Sequence, residues 1–324
     1  ANHIVADGAS HSSIVGGSYQ TSNSDYAFLG GGTQNTASAH YSVICGGQNN
    51  EVGDINEVSL DIRSSFVGGG SQNKATRIRS SVVGGLQNTA SESESFVGGG
   101  KNNTASGSAS SILGGSANNA SGENSVVVGG VTNNSSGSAS ISGGSSNTAS
   151  GSYSTAFGEF GKAEGAGSMV TGQRAKASLR GQRSHASGYF SSQGDAQISE
   201  MTVRRLSTGA TPVLLDLFGG TSSPITIPDN TTWYFTIKVV ARNINTDGDN
   251  AAYRVEGCIK KDSTAASAAM VGTPVVTTIA ADSAAWDVSV AAETTNGALA
   301  ITATGESGKS IRWVGRIELS EVSG

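Results

Sequence analysis

The stretch SVVGGLQNTASESESFVGGGKNNTASG, residues 81–107, contains nearly the same phrase twice. Each copy begins with a short apolar pair, continues into two or three glycines and ends near Asn-Thr-Ala-Ser. Self-similarity at a short fixed period is typical of stacked repeat architectures, so this pattern decides the fold class before any other feature of the chain.

Eleven copies of the phrase follow one another in the first part of the chain. Counted from the first glycine of each copy, the intervals are 14–16 residues, with one interval of 22. These glycines are Gly16, Gly30, Gly46, Gly68, Gly84, Gly98, Gly114, Gly129, Gly143, Gly158 and Gly172. Two residues earlier each copy has an apolar residue, which together with its neighbour we predict to supply the core: Ile14, Phe28, Ile44, Phe66, Val82, Phe96, Ile112, Val127, Ile141, Ala156 and Val170. An asparagine follows most of the glycines, at Asn35, Asn50, Asn73, Asn88, Asn103, Asn119, Asn134 and Asn147.

Each period predicts two short strands and two tight turns, because β-branched and aromatic residues alternate with Gly and Asn. One coil offers little apolar surface, such as Val82 and Val83. Burial contributes about 25 cal/mol per Å², whereas ordering a residue costs roughly 1 kcal/mol or more. We therefore predict an obligate homotrimer, in which three chains share a core.

The repeat resembles the head repeats of trimeric autotransporter adhesins of the YadA type, and similar repeats occur in bacteriophage tail fibres. The resemblance covers residues 1–190 and implies a left-handed parallel β-roll with three chains around one axis. The chain departs from the adhesins in two respects. No heptad pattern follows the repeats, and the last strands carry Arg312, Arg316 and Glu318, which are too charged for lipid.

Glycine and asparagine are predicted to have structural roles in the turns of the roll. Gly84, Gly98 and Gly114 are expected at equivalent positions, as are Asn88, Asn103 and Asn119. For the asparagines we expect stacked side chains or a left-handed backbone, which Asn tolerates better than most residues.

The 22-residue interval contains an insertion, EVGDINEVSLDIRSS at residues 51–65. Insertions in solenoids lie in surface loops, which often belong to a binding face. A tolerated bulge without a binding role is the alternative.

Residues 191–324 follow a different pattern. Apolar and polar residues alternate, for example over residues 232–239, 253–260 and 311–319. Such alternation is typical of half-buried antiparallel strands. About eight strands of this kind predict an antiparallel, jelly-roll-like β-sandwich, and thus an all-β protein. This order of domains loosely resembles the distal end of phage tail fibres.

Composition excludes several classes of partner. The net charge of −5 and the pI near 5.4 give no reason to expect nucleic acid, and no apolar run is long enough for a membrane-spanning helix. Cys45 and Cys258 stand far apart and are predicted to be unpaired thiols. We expect neither a cofactor nor a catalytic site, and no enzymatic activity.

Two short motifs imitate ligand-binding loops. ATGESGKS, residues 303–310, is similar to a phosphate-binding loop, but an alternating strand follows it instead of a helix, so we predict a hairpin turn. NINTDGD, residues 243–249, imitates the start of an EF-hand loop, with Asn243, Asn245, Asp247 and Asp249 as weak metal-ligand candidates. Arg254 occupies the place of the required Glu, so a hairpin loop is predicted here as well.

A basic stretch lies where the two patterns meet. Its members are Lys162, Arg174, Lys176, Arg180, Arg183, Arg204 and Arg205, and three acidic residues accompany them (Glu164, Asp195 and Glu200). The first five are our candidates for contact with an anionic or polysaccharide receptor. The alternative is a network that satisfies local acids and carbonyl groups.

Together these features predict a receptor-binding fibre of a virion, such as a phage tail fibre. Its partners would be two further copies of the chain, a host-surface glycan or protein and other tail proteins. The first alternative is a bacterial surface adhesin, and the second is a polysaccharide-degrading tailspike. A tailspike requires paired carboxyl groups, which neighbouring chains could supply.

Overall fold

The computed structural model of the protein describes residues 2–6, 9–53, 64–220, 224–245 and 248–324. The chain divides into two compact units, Ala1–Ala166 and Gly167–Gly324. We predicted a domain boundary between residues 190 and 191, where the sequence repeat ends. That boundary stays a prediction. The insertion at residues 51–65 falls largely outside the described residues.

The first unit is a parallel β-solenoid in which strands of successive coils pair with one another. One sheet contains β1 (Ile4–Val5), β3 (Thr21–Ser22), β5 (Thr36–Ala37), β7 (Glu51–Val52), β9 (Lys74–Ala75), β11 (Thr89–Ala90), β13 (Thr104–Ala105), β15 (Asn119–Ala120), β17 (Asn134–Ser135), β19 (Thr148–Ala149) and β21 (Lys162–Ala163). The other contains β2 (Ser13–Ile14), β4 (Phe28–Leu29), β6 (Val43–Ile44), β8 (Phe66–Val67), β10 (Ser81–Val82), β12 (Phe96–Val97), β14 (Ser111–Ile112), β16 (Val126–Val131), β18 (Ile141–Ser145) and β20 (Thr155–Glu159). The predicted parallel repeat architecture is confirmed.

The coils between Val67 and Ala120 have a narrow interior made of one aliphatic side chain, one alanine and small polar groups. In a typical coil Val82 and Ala90 are fully buried, together with Ser80 and Asn88. In several coils the buried residue is not the one two positions before the first glycine but its neighbour. Phe28, Phe66, Phe96 and Ile141 lie one position before the buried residues, which are Leu29, Val67, Val97 and Ser142.

The obligatory glycine is the last of each run. Gly115 has a φ of +97°, and Gly85 and Gly100 have similar values, which favour glycine strongly. The predicted positions, Gly84, Gly98 and Gly114, are the first of their runs and do not adopt this conformation. The first glycine of a run marks the repeat in the sequence, whereas the last glycine is the one that the backbone conformation restricts.

A ladder of buried asparagine side chains runs along the solenoid. The amide nitrogen of Asn103 donates to the carbonyl oxygens of Gly99 and Gly115, each at 2.9 Å. Its Oδ1 accepts from the backbone N–H of the next ladder residue, which is Asn118 and not the predicted Asn119. Positive φ values occur one residue earlier, as at Asn102 (φ 56°). The ladder thus depends on side-chain hydrogen bonds, which link neighbouring coils.

The second unit consists mainly of antiparallel strands. Its strands are β22 (Met169–Gln173), β23 (Lys176–Ala177), β24 (Arg183–Ser187), β25 (Ala196–Thr208), β26 (Val213–Leu214), β27 (Ile225–Thr226), β28 (Thr231–Asn243), β29 (Asn250–Lys261), β30 (Ala269–Met270), β31 (Val275–Ala281), β32 (Asp287–Glu293), β33 (Ala298–Thr304) and β34 (Ser310–Ser323), and a short 3₁₀ helix spans Ala265–Ser267. The large sheet has the order β24-β25-β34-β28-β29-β31, with β30 also on β29 and β22 parallel to β24. In a smaller sheet β26, β27 and β32 pair with β33.

Both sheets contribute to one hydrophobic core. Trp233, Phe235 and Trp313 come from the large sheet, whereas Leu299 and Ile301 come from the smaller one. These side chains occupy every second position of their strands, as the alternating pattern predicted. The outward positions of the large sheet carry charged and polar residues, several of which line the first candidate site.

Candidate functional site

The structure separates the five receptor candidates. Lys162 is an exposed residue of β21 in the first unit. In the second unit the guanidinium of Arg174 lies 3.9 Å from the ring centroid of Tyr189, while Lys176 lines a polar cavity. Only Arg180 and Arg183 line the same depression. The basic stretch is therefore not one patch, because strands and turns direct its members to different surfaces.

A cavity of about 570 Å³ opens on the solvent side of the large sheet. Its apolar lining includes Met169, Ile198 and Tyr234, which are 37%, 58% and 49% exposed. Its charged and polar lining includes Arg183, His185, Glu200, Arg316 and Glu318. This combination can pack against the C–H groups of a sugar ring while binding its hydroxyl groups.

Arg316 organises the charges of this cavity. Its Nε lies 2.9 Å from Oε1 of Glu200, and its Nη2 lies 3.0 Å from Oε1 of Glu318. Lys238 also pairs with Glu318, at 3.1 Å. These side chains occupy outward positions of β25, β34 and β28, so strand register alone brings them together. Sequence reasoning missed the cluster because its members are distant in the chain.

A second cavity, of about 560 Å³, has a more polar lining. It includes the amides of Gln182, Gln193, Gln197 and Asn296, the ammonium groups of Lys176 and Lys261, the carboxyl groups of Asp229 and Glu321, and Trp233. Lys261 Nζ lies 2.8 Å from Oδ1 of Asp229. Amides and paired charges can form hydrogen bonds with the hydroxyl groups of a sugar.

Glu321 is the buried acid of this second cavity. The residue is 7% exposed. Trp233 Nε1 donates to its Oε2 at 3.0 Å, and Gln197 Nε2 donates to its Oε1 at 3.3 Å. Burial raises the pKa of Glu321 above the usual glutamate range, although these hydrogen bonds oppose the shift. The sequence contained a signal for it, because Glu321 continues the inward series of Ile317 and Leu319.

We predict that Glu321→Gln increases stability at neutral pH. With its pKa raised in the folded state, Glu321 favours folding most below its unfolded pKa of about 4.5, and this contribution is lost as pH rises through the folded pKa. Glutamine does not titrate, so the melting temperature of the variant should exceed that of the unmodified protein at pH 7 and fall less between pH 4 and 7. Thermal unfolding followed by circular dichroism measures this. Exposed Glu318→Gln is the control, and an equal loss of stability for Glu321→Gln at both pH values would contradict the prediction.

The candidate metal ligands already bind protein groups. Asn243 Oδ1 accepts from the N–H of Asn245, Asn245 Oδ1 accepts from Ser310 N–H, and the Asp249 carboxylate lies 2.7 Å from Lys309 Nζ. Asp247 lies outside the described residues. Among the residues that the structure describes, no group of three or more His, Cys, Asp or Glu side chains is arranged to hold a metal ion.

Both motif-bearing loops connect strands. NINTDGD lies between β28 and β29, which pair antiparallel, so its predicted hairpin is confirmed. ATGESGKS joins β33 of the smaller sheet to β34 of the large one, so it is a crossover and the predicted hairpin turn is wrong. Lys309 of this loop pairs with Asp249 and Glu306, which hold its pKa above the ordinary lysine value.

The described parts of the chain contain no helix that is long and apolar enough to cross a membrane. Both cysteines are free thiols, with Cys45 exposed and Cys258 partly buried.

Comparisons with known proteins give only distant similarity. No protein-family model matches the chain, and no curated protein matches it. Among solved structures, it is similar to the tailspike protein gp49 of Acinetobacter baumannii bacteriophage Fri1, described as a capsular polysaccharide depolymerase, with 9% identity and a TM-score of 0.25 over 94% of this chain and 67% of that one. It is also similar to the tailspike protein of Acinetobacter phage vB_ApiP_P1, with 8% identity and a TM-score of 0.21 over 94% of this chain and 80% of that one.

One of our predictions is corrected by this comparison. The first of these proteins is described as a depolymerase, which contradicts the prediction that the present chain is not an enzyme, and we withdraw that prediction. At such TM-scores the likeness transfers neither an activity nor site residues to this chain.

Proposed function

We propose that this chain is part of a homotrimeric attachment fibre of a virion, such as a phage tail fibre, and that its second unit binds host-surface glycan. In this proposal the first unit is a left-handed roll of the YadA head type, and the second is a jelly-roll-like sandwich. The observation that carries the proposal is a row of apolar side chains along the outer face of one solenoid sheet.

This outer row presents apolar side chains from several coils. Val83, Leu113 and Val128 are 48%, 56% and 47% exposed in the single chain. Three of the other coils have a glycine here, and a phenylalanine ring of the same coil lies beside it, as Phe96 lies beside Gly98. Exposed apolar side chains that recur along one face support burial against further copies of the chain, since monomers rarely expose large apolar patches.

We predict that Val128→Glu dissociates the trimer. The side chain points away from the interior of its coil, so the change should leave a single chain folded while placing three carboxylates in the proposed interface. Val131→Glu, in the same strand and with 50% exposure, is the matched control. Native mass spectrometry and light scattering measure the chain number. A monomeric unmodified protein, or equal behaviour of the two variants, would contradict the proposed interface.

The cavity beside Tyr234 supports glycan binding by the second unit. Its apolar lining suits the C–H faces of a sugar, and Arg316 holds two carboxylates at positions where they can accept from sugar hydroxyl groups. Three copies in one trimer would raise the effective concentration of weak individual sites.

Polysaccharide hydrolysis is the second candidate function, and the cavity around Glu321 favours it. A glycoside hydrolase requires one carboxyl group that donates a proton and another that acts as base or nucleophile. Glu321 is a buried carboxyl group with a raised pKa, while Asp229 in the same cavity is held by Lys261. Two carboxyl groups in different environments are the arrangement that such chemistry needs.

One experiment tests both candidates. The trimer is incubated with a panel of neutral and acidic bacterial surface polysaccharides, and both binding and release of reducing ends are measured. Binding without release supports the attachment fibre alone. Release that is lost in Glu321→Gln supports hydrolysis. A trimer that binds none of the polymers would overturn the proposed glycan-binding function.

A further inference from the structure

A shallow depression of about 360 Å³ lies next to the larger cavity and contains three arginines, Arg180, Arg183 and Arg204. All three are exposed residues. The carboxylate in its lining, Glu200, is paired with Arg316 at 2.9 Å. Because Arg316 already balances Glu200, the three guanidinium groups leave the depression with an excess of positive charge.

Phe218 orients two of these arginines. The guanidinium of Arg180 lies over its ring, 5.2 Å from the centroid, and Arg204 Nη2 donates to its carbonyl oxygen at 3.2 Å. Stacking on an aromatic ring limits the motion of a guanidinium without using its N–H groups. Arg180 is thus held in place while its donors stay available to a ligand.

The loop that carries Phe218 is fixed by a buried carboxylate. Asp216 is fully buried and accepts hydrogen bonds from the N–H groups of Phe218, at 2.8 Å, and of Gly219 and Gly220. Its other oxygen lies 3.2 Å from Arg205 Nη1. The carboxylate of Asp216 is therefore paired with Arg205. The loop that positions Arg180 and Arg204 is held in place without a ligand, which lowers the entropy cost of binding one.

Arg183 differs from the other two in its environment. Within the described ranges, no acceptor lies within hydrogen-bonding distance of its guanidinium. It pairs across the strands with Glu200 by backbone register, but that carboxylate is engaged by Arg316. Arg183 also lines the larger cavity, so it stands between the two concave surfaces.

We infer that this depression is a subsite for the carboxylate of an acidic polysaccharide, whose neighbouring sugars occupy the cavity beside Tyr234. The inference rests on the proposed glycan-binding function and names the class of glycan. Guanidinium groups bind carboxylates through paired, charge-assisted hydrogen bonds. The volume lies within the range of small-molecule sites, roughly 300–1,000 Å³.

The test uses two forms of one probe, a galacturonic acid decamer and its methyl ester, which differ in charge and share a backbone. Calorimetry on the full chain measures binding to the unmodified protein and to the Arg180→Ala, Arg183→Ala and Arg254→Ala variants. Arg254 is the control, since it pairs with Glu256 and lies outside both cavities. Circular dichroism verifies that each variant is folded.

We expect the acid form to bind at least about tenfold more tightly than the ester, and each depression variant to weaken binding about tenfold, as loss of a charge-assisted hydrogen bond does. Arg254→Ala should bind like the unmodified protein. Equal affinity for acid and ester, or equal affinity of Arg183→Ala and Arg254→Ala, overturns the inference. Binding of neutral polysaccharides without binding of the acid decamer overturns the inference and leaves the proposed function intact, whereas binding of no polysaccharide overturns the function itself.

Discussion

Replacing Gly115 with alanine is expected to prevent its coil from closing, whereas the same change at the adjacent Gly114 is expected to have almost no effect. A Cβ on Gly115 would overlap the carbonyl oxygen of Gly130 and lie 2.8 Å from the nitrogen of Gly130 and 2.7 Å from the Asn118 amide nitrogen. These are mostly backbone atoms of the next coil, which cannot move without opening the ladder. The φ of +97° adds strain for any residue with a Cβ.

The expected loss for Gly115→Ala is on the order of 4 kcal/mol, a magnitude that is rare for one substitution. A Cβ on Gly114 meets nothing within 4 Å, so Gly114→Ala should change the free energy of unfolding by less than about 0.5 kcal/mol. Denaturant unfolding followed by circular dichroism compares the two variants. Equal stability of the pair would show that the close approach of the coils is absent in solution.

This pair of glycines also shows why the repeat was visible in the sequence while its register was displaced. Runs of two and three glycines alternate, so counting from the first glycine gave irregular intervals of 14 and 16. The last glycine is the one that sterics fix, and Gly85, Gly100 and Gly115 are evenly spaced. The hydrogen bonds of the ladder have the same spacing, 15 residues in these coils and 14 in later ones.

The same displacement affected the asparagines. Ala105 and Ala120 pair directly across the sheet, and the ladder asparagine lies two residues before each, at Asn103 and Asn118. Where two asparagines are adjacent, as at Asn118 and Asn119, composition does not separate them. Distance from the inward alanine does, because strand pairing aligns the coils on that position.

The candidate sites were harder to predict because they depend on contacts between distant parts of the chain. Arg204 and Arg205 are neighbours in the sequence, but alternation along β25 turns Arg204 to the depression and leaves Arg205 paired with Asp216. Because these residues are close together in the sequence, we predicted a larger basic patch than the structure contains. Phe218, which orients Arg180, gave no signal, since its role arises only from the fold.

Asn118 and Asn119 provide the second prediction with a large expected effect. Asn118 is 1% exposed. Its amide nitrogen donates to the carbonyl oxygens of Gly114 and Gly130, and its Oδ1 accepts from the N–H of Asn133 at 2.9 Å. With alanine at this position, the carbonyl oxygens of Gly114 and Gly130 and the N–H of Asn133 would lose these hydrogen bonds. Because each unsatisfied group costs about 1–3 kcal/mol, Asn118→Ala should lower the free energy of unfolding by about 3 kcal/mol or more.

Asn119→Ala is the matched control, with the same side chain removed one position along the chain. Asn119 is half-buried, and its amide donates to Asn134 Oδ1 at 3.1 Å near the surface. Water can replace that bond, so the expected loss is below about 1 kcal/mol. Denaturant titration in parallel gives the two values. If Asn119→Ala lowers the free energy of unfolding more than Asn118→Ala does, the ladder depends on the residue that sequence spacing indicated. If Asn118→Ala has the larger effect, as we predict, the coil is stabilised by side-chain amides that form hydrogen bonds with backbone groups of neighbouring coils.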